Sequence, residues 1–273
     1  MKFTIKLVLT LVLFASAALL AINFYGLTKE LRPDNLSPEF LRFGERDLLL
    51  SKKEYFKAVK KVENESDLEY AKRLTTVISE GTAHVDWEVY NPSAFHQLVP
   101  LWENWILHFM GRYSGIPEYE RYHFSNPQKS MERGIGICGD ASILMSQLLS
   151  KHGIDNKIVT FPGHVVVAAE FDKTQLVFDP DFGVVIPHSL EKINTQRAAT
   201  KGLYSQQGYS NNEERFLVNE YTKSYSIWDG PKHLITNKFY FEKFAYFGKW
   251  FFPVIGVLFV LVVFLSTNKS KKE

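Results

Sequence analysis

The chain has 273 residues, 45% of them apolar, enough for one globular domain of about 150–220 residues plus short appendages. Lys and Arg number 32 against 30 Asp and Glu, for a net charge of +2, and the basic residues are scattered, which argues against a nucleic-acid binder with its concentrated basic face. A single cysteine excludes an intramolecular disulfide and a thiolate zinc cage, and the eight histidines show no HExxH spacing.

At the N-terminus no charge occurs between Lys6 and Lys29, and Leu7–Tyr25 gives 19 residues, the length of a helix that crosses a bilayer. Lys2 and Lys6 supply the basic flank of the cytoplasmic side. Ala15-Ser16-Ala17 resembles a signal-peptide cleavage site, but the apolar run continues through Leu19, Leu20, Ile22 and Phe24, which favours a retained anchor. Arg32 to Pro38 reads as a linker. Glu45–Val62, rich in Leu, Lys and Glu, reads as a helix. Asn64-Glu65-Ser66 offers a cap for a second helix, Asp67–Ser79, with Leu68, Ala71, Leu74 and Ile78 at helical spacing. Residues 83–127, with Trp87, Trp102 and Trp105, read as helix and loop packed over the core.

Gly134, Gly136 and Gly139 surround Cys138, and a helix follows. Ala141, Leu144, Met145, Leu148 and Leu149 keep one face of it apolar, and Gly153 ends it. Three strands come next: Lys157–Phe161, His164–Phe171 and Gln175–Phe178, with Asp172-Lys173-Thr174 as a hairpin turn. A helix followed by antiparallel strands indicates an α+β domain. Residues 190–237 are polar and tyrosine-rich, with Gln206-Gln207-Gly208 as loop, and are expected to cover a cleft. A second uncharged run, Trp250 to Ser266, is 17 residues long and follows an aromatic cluster suited to a membrane–water interface.

Three residues in this order carry a candidate chemistry. Cys138 falls in the first turn of a helix, where unpaired N–H groups and the dipole favour a thiolate, and its own N–H is placed to stabilise an oxyanion. His164 opens the second strand, and Asp179 ends the third. If Glu170 stands opposite Gln175, Asp179 lies opposite Val166, on the face of His164 and diagonal to it, about 7 Å away at the backbone. Cys138 then attacks a carbonyl, His164 moves the proton and Asp179 orients the imidazole. Asp181 is the alternative acid. Asp140 reads as a first-turn helix acid, His152 as a helix C-terminal residue and His188 as a loop residue.

At these residues the sequence resembles the transglutaminase-like superfamily in its bacterial form. The resemblance is carried by GIGICGDASILMSQLLSKHGI, GHVVVAAEF and LVFDPDFG, preceded by the helix DLEYAKRLTTVIS, and spans roughly residues 65–190. It implies a papain-like core in which a Cys-bearing helix packs on an antiparallel sheet, with Cys138, His164 and Asp179 as catalytic triad and a thioester acyl-enzyme. Members include protein cross-linkers, peptidases, amidases and inactive scaffolds. Arylamine acetyltransferases share such a core, but two membrane spans do not suit soluble acyl-CoA chemistry. The superfamily also implies a second oxyanion donor ahead of the nucleophile, for which Trp102, Tyr113, Tyr119, Tyr122 and Gln128 compete.

The expected organisation is an N-terminal transmembrane anchor (1–27), an extracytoplasmic transglutaminase-like domain (28–237, core about 65–190), an aromatic juxtamembrane segment (238–249), a C-terminal transmembrane helix (250–267) and a basic cytoplasmic tail (268–273). Lysines at both ends place both termini in the cytoplasm. The expected activity is amide hydrolysis or transamidation of a polypeptide or cell-envelope substrate, without metal or cofactor; the alternative is a catalytically silent scaffold at the membrane. The bilayer is the expected partner, with room for membrane-protein partners and none for nucleic acid.

Overall fold

Ser51 starts the first helix after the linker. Its hydroxyl accepts the Glu54 N–H, and the Glu54 carboxylate accepts the Ser51 N–H, so the helix begins there and not near Glu45. Ser66 and Glu69 repeat the same box one helix later. The computed structural model describes residues 3–44, 47 and 49–269; Lys2, Glu45, Lys271 and Lys272 lie outside the described residues. In chain order the elements are α1 (Phe3–Gly26), α2 (Lys52–Ala58), α3 (Asp67–Gly81), α4 (Trp105–Tyr113), α5 (Pro117–Glu120), α6 (Pro127–Arg133) and α7 (Cys138–Lys151). Then follow β1 (Asn156–Thr160), β2 (Val165–Phe171), β3 (Thr174–Asp179), β4 (Val184–Ile186), α8 (Leu190–Thr195), α9 (Leu203–Gln206), α10 (Asn211–Glu220), β5 (Ser226–Trp228), α11 (Gly230–Leu234) and α12 (Thr236–Lys269).

The chain forms two units, one from residues 32–91 and 123–239, the other from 92–122 with the two terminal segments. The first is the expected α+β fold, built on an antiparallel sheet in the order β4-β3-β2-β1-β5. Glu170 pairs with Gln175, the register expected from the sequence, and Asp172 and Lys173 form the two-residue turn with φ of 47° and 67°. Alternation then sorts the side chains. Val167, Ala169, Leu176 and Phe178 pack against α3 and α7, through Leu74, Ile78, Leu144 and Met145. Val166, Ala168 and Val177 pack on the other face with Leu190, Ile193, Tyr204, Leu217 and Tyr221. Residues 190–237 are therefore short helices and a strand that complete the core, with Gln206 ending α9 instead of lying in a loop.

In the second unit α1 and α12 are long and apolar enough to cross a membrane, with mean hydropathies of 2.5 and 2.4 over their best windows. They run as an antiparallel pair. Gly256 approaches Ser16 so closely that a Cβ would collide with its hydroxyl, the Asn23 amide donates to the Lys249 carbonyl (2.6 Å), and the Phe24 and Trp250 rings meet edge to face at 5.5 Å. These contacts share one register, which sets the apolar run of α1 alongside that of α12. Segment 92–122 belongs to this unit, so of residues 83–127 only the two ends belong to the first. Asn104 caps α4, accepting from the Ile106 and Leu107 N–H groups.

Candidate active site

The nucleophile's helix is pinned before it starts. Gly134 closes α6 in the left-handed region at φ +61°, and Gly134 and Gly136 bond to the two sides of Ala83 (2.9 and 3.1 Å). Gly136 has no room for a Cβ, which would lie 2.8 Å from that of Asp140. Cys138 is the first residue of α7 and is partly exposed. Asp140, two residues on, accepts the Ile137 N–H (3.0 Å) and is paired with His123 Nδ1 (2.7 Å). Burial pushes the Asp140 carboxyl up, but His123 and the buried Arg133 hold it below the usual carboxylate range. Trp87 stacks on His123 at 4.5 Å, and Arg133 lies over the Phe124 ring at 4.6 Å. Asp140 thus fixes the helix entrance, in keeping with the expectation of a first-turn acid. Ser142 then donates to the Val165 carbonyl (2.9 Å), tying the second turn of α7 to the start of β2.

That tie brings His164, the residue before β2, to the Cys138 end of the helix. His164 is 3% exposed, and its Nε2 lies 2.7 Å from Asp179 Oδ2. Cys138 lies close enough to the ring to act on its charge, and Asp179 occupies Nε2. Burial alone would depress this imidazole, yet the charge and hydrogen bond of Asp179, joined by Cys138, raise its pKa well above the ordinary value. Of the three residues singled out by sequence, His164 and Asp179 are hydrogen-bonded, and Cys138 lies near enough to act on the ring's charge.

Asp179 is fully buried and densely bonded. Oδ2 also accepts from the hydroxyls of Tyr204 (2.7 Å) and Tyr221 (3.0 Å), while Oδ1 accepts the N–H groups of Asp181 and Phe182 (3.2 and 3.3 Å). Burial and the adjacent carboxylate push both tyrosine hydroxyls well above their ordinary pKa, so they remain donors. Asp181 turns away to a different set of partners. Its Oδ2 pairs with Arg42 (2.8 Å) and its Oδ1 lies 3.1 Å from His84 Nε2, while His84 Nδ1 meets Asp47 (2.5 Å). Phe182 links the two sets, with ring centroids 5.7 Å from His164 and 5.1 Å from Phe43.

His84 is buried, which works against its charge, but Asp181 and Asp47 outweigh that and lift its pKa to about 9. A raised pKa means that its contribution to stability is complete below about pH 6.5 and is lost as pH rises through about 9. The loss is roughly 3 kcal/mol by the usual conversion. Urea unfolding at pH 6 and pH 10 is expected to show that decline in the wild type. The His84→Gln variant, already destabilised, is expected to lack this share of the slope.

Of the remaining candidates, His152 caps the C-terminal end of α7 beside Tyr70, and His188 follows β4 in a loop. Gln128, exposed on α6, donates to Glu132 (2.8 Å). Trp102, Tyr113, Tyr119 and Tyr122 belong to the unit of the apolar helices, where Tyr122 donates to Glu242 (2.9 Å). Among the described residues no group of three His, Cys, Asp or Glu side chains could hold a metal ion. Tyr204, Tyr221, His84, Asp47 and Arg42 were not singled out in the sequence. The one local signal was the Leu217–Tyr221 spacing of four, which marks the inward face of the otherwise polar α10.

A family model for a transglutaminase-like domain matches residues 51–199. No curated protein and no solved structure matches the chain. The match covers more than half of the sequence, running from α2 past α8, and it includes Cys138, His164 and Asp179 with the sheet that carries them. The chain belongs to the transglutaminase-like family.

Proposed function

We propose that this protein is a membrane-bound cysteine acyl-transfer enzyme, with Cys138 as nucleophile, His164 as general base and acid, and Asp179 as orienting acid. The observation that carries this reading is the buried His164, bonded to Asp179 Oδ2 at 2.7 Å and close enough to Cys138 for the sulfur to act on its charge. With the thiol proton already on the ring, Sγ bonds to the carbonyl carbon of an amide. Negative charge then gathers on the carbonyl oxygen, facing the Cys138 N–H that the first turn of α7 leaves unpaired. When the C–N bond breaks, the imidazolium gives its proton to the departing amine, and a thioester remains. Water or a second amine, deprotonated by His164, attacks the thioester and returns the sulfur, giving hydrolysis or transamidation. Asp179 faces the imidazolium throughout and orients it.

The substrate class that suits this chemistry is a polypeptide or a cell-envelope amide outside the cytoplasm. Lys6 before the apolar run of α1, with Lys2 and the C-terminal lysines beyond the described residues, supports cytoplasmic termini and an extracytoplasmic domain. In a Cys138→Ala background, Glu170→Cys is expected to react with a membrane-impermeant maleimide in intact cells. Lys6→Cys is expected to react only after permeabilisation; the reverse pattern would invert the topology. The activity is tested with an activated ester. A p-nitrophenyl ester is expected to release a burst of one p-nitrophenolate per protein, absent from Cys138→Ala. Release that is identical in the two proteins would favour a silent scaffold.

A further inference from the structure

α4 carries an aromatic face that its own unit leaves open. Phe109 and Tyr113 are four residues apart and are 45% and 75% exposed, and Ile116, just beyond the end of the helix, is 41% exposed. Trp105 extends the stripe, with ring centroids 6.5 Å from Phe109, which is itself 6.0 Å from Tyr113. The opposite side is buried: Leu107 is fully enclosed, and Gly111 has no room for a Cβ against the Tyr119 backbone. No acidic residue occurs between Glu103 and Glu118, while Arg112 adds a positive charge. An apolar, aromatic face with a basic residue and no acid is the pattern of a helix lying in a lipid headgroup layer.

The position of α4 fits that pattern. Trp105 Nε1 donates to the Lys249 carbonyl (3.4 Å), and Ile106 lies against Gly248. The Trp102 carbonyl lies against Gly26. Lys249 is the last charge before the apolar run of α12, and Gly26 directly follows the apolar run of α1. α4 therefore begins where both apolar runs end, at one level along the helix pair. Tyr240, Phe244 and Phe247 of α12 are exposed near the same end.

We propose that the Phe109–Tyr113 face of α4, with Ile116 just after it, is a third membrane contact, seated among the lipid headgroups at the boundary where α1 and α12 emerge. This rests on the reading of α1 and α12 as membrane spans. A third contact beside two spans would fix the rotation of the helix pair about the membrane normal.

The test uses the full chain without its native thiol, Cys138→Ser, carrying single spin labels at Phe109→Cys, Tyr113→Cys, Leu258→Cys or Glu170→Cys. Each protein is reconstituted in vesicles of phosphatidylcholine with phosphatidylglycerol, and label accessibility to oxygen and to a water-soluble nickel chelate is measured. The expected result is an oxygen-to-nickel ratio at positions 109 and 113 severalfold above that at 170 and below that at 258. Ratios at 109 and 113 equal to that at 170, with 258 still in lipid, would overturn the α4 contact alone. A ratio at 258 equal to that at 170 would overturn the spans and the α4 contact together. Labels at both α4 positions that are shielded from both reagents would mean a protein covers this face, and would also overturn the proposal. The two α4 positions are read independently, so one misfolded variant does not remove the test.

Discussion

Asp179→Ala is expected to destabilise the domain by about 3–5 kcal/mol, the range for removing one member of a buried charged pair, and to reduce acylation of Cys138 by orders of magnitude. Asp179 is the most heavily bonded group of the candidate site. It accepts from His164, Tyr204 and Tyr221 with one oxygen and from two backbone N–H groups with the other, all out of contact with solvent. Alanine leaves those buried donors unpaired, each at a cost of about 1–3 kcal/mol before relaxation. It also removes the charge that holds His164 protonated and the contact that orients its ring. Asp179→Asn separates the two effects. Its carbonyl can still accept the backbone N–H groups, so most of the stability is expected to remain, but its NH₂ group then faces the His164 and tyrosine donors. A loss of about 10⁴ in turnover is the scale seen when an amide replaces the acid of such a triad. Urea denaturation and acylation rates on the same preparations check both parts.

The contrast between Asp179 and the groups around it marks what could be seen in the sequence. Cys138, His164 and Asp179 were legible because each stands at a boundary with a physical signature: a glycine-flanked helix start, a strand opening and a strand end before proline. The hairpin register followed from a short turn, and alternation then fixed which strand residues share a face. Tyr204 and Tyr221 could not be found that way. They reach Asp179 from 25 and 42 residues further along the chain, on short helices whose other faces are polar. The Asp47–His84–Asp181–Arg42 set is similarly long-range, joining the linker, the segment after α3 and the turn after β3. The helix expected from Glu45 begins at Lys52 because the Ser51–Glu54 box sets its start. The place of 92–122 in the unit of the apolar helices was hidden for another reason: its tryptophans and tyrosines suit a domain core and a unit of long apolar helices equally well.

His164→Ala is expected to slow alkylation of Cys138 by iodoacetamide at pH 6 by roughly 100-fold. An unassisted thiol is ionised to well under about one part in a hundred at that pH. In the wild type the imidazolium, kept charged by Asp179, places a positive charge beside the sulfur. The gap is expected to close as pH rises past about 9, where hydroxide replaces the base. Cys138 is partly exposed, so reagent access does not limit the comparison. Near-equal rates at pH 6 would mean that the imidazole and the thiol do not work together.

The most direct measurement follows acylation of Cys138 by intact mass in four proteins: wild type, Cys138→Ala, His164→Ala and Asp179→Ala. After brief exposure to an activated ester, the wild type is expected to gain one acyl group, mapped to Cys138 and removed by hydroxylamine as a thioester is. The cysteine variant is expected to gain none, and the other two to gain it only over far longer times. Equal acylation of wild type, His164→Ala and Asp179→Ala would contradict a triad and leave Cys138 as an ordinary surface thiol.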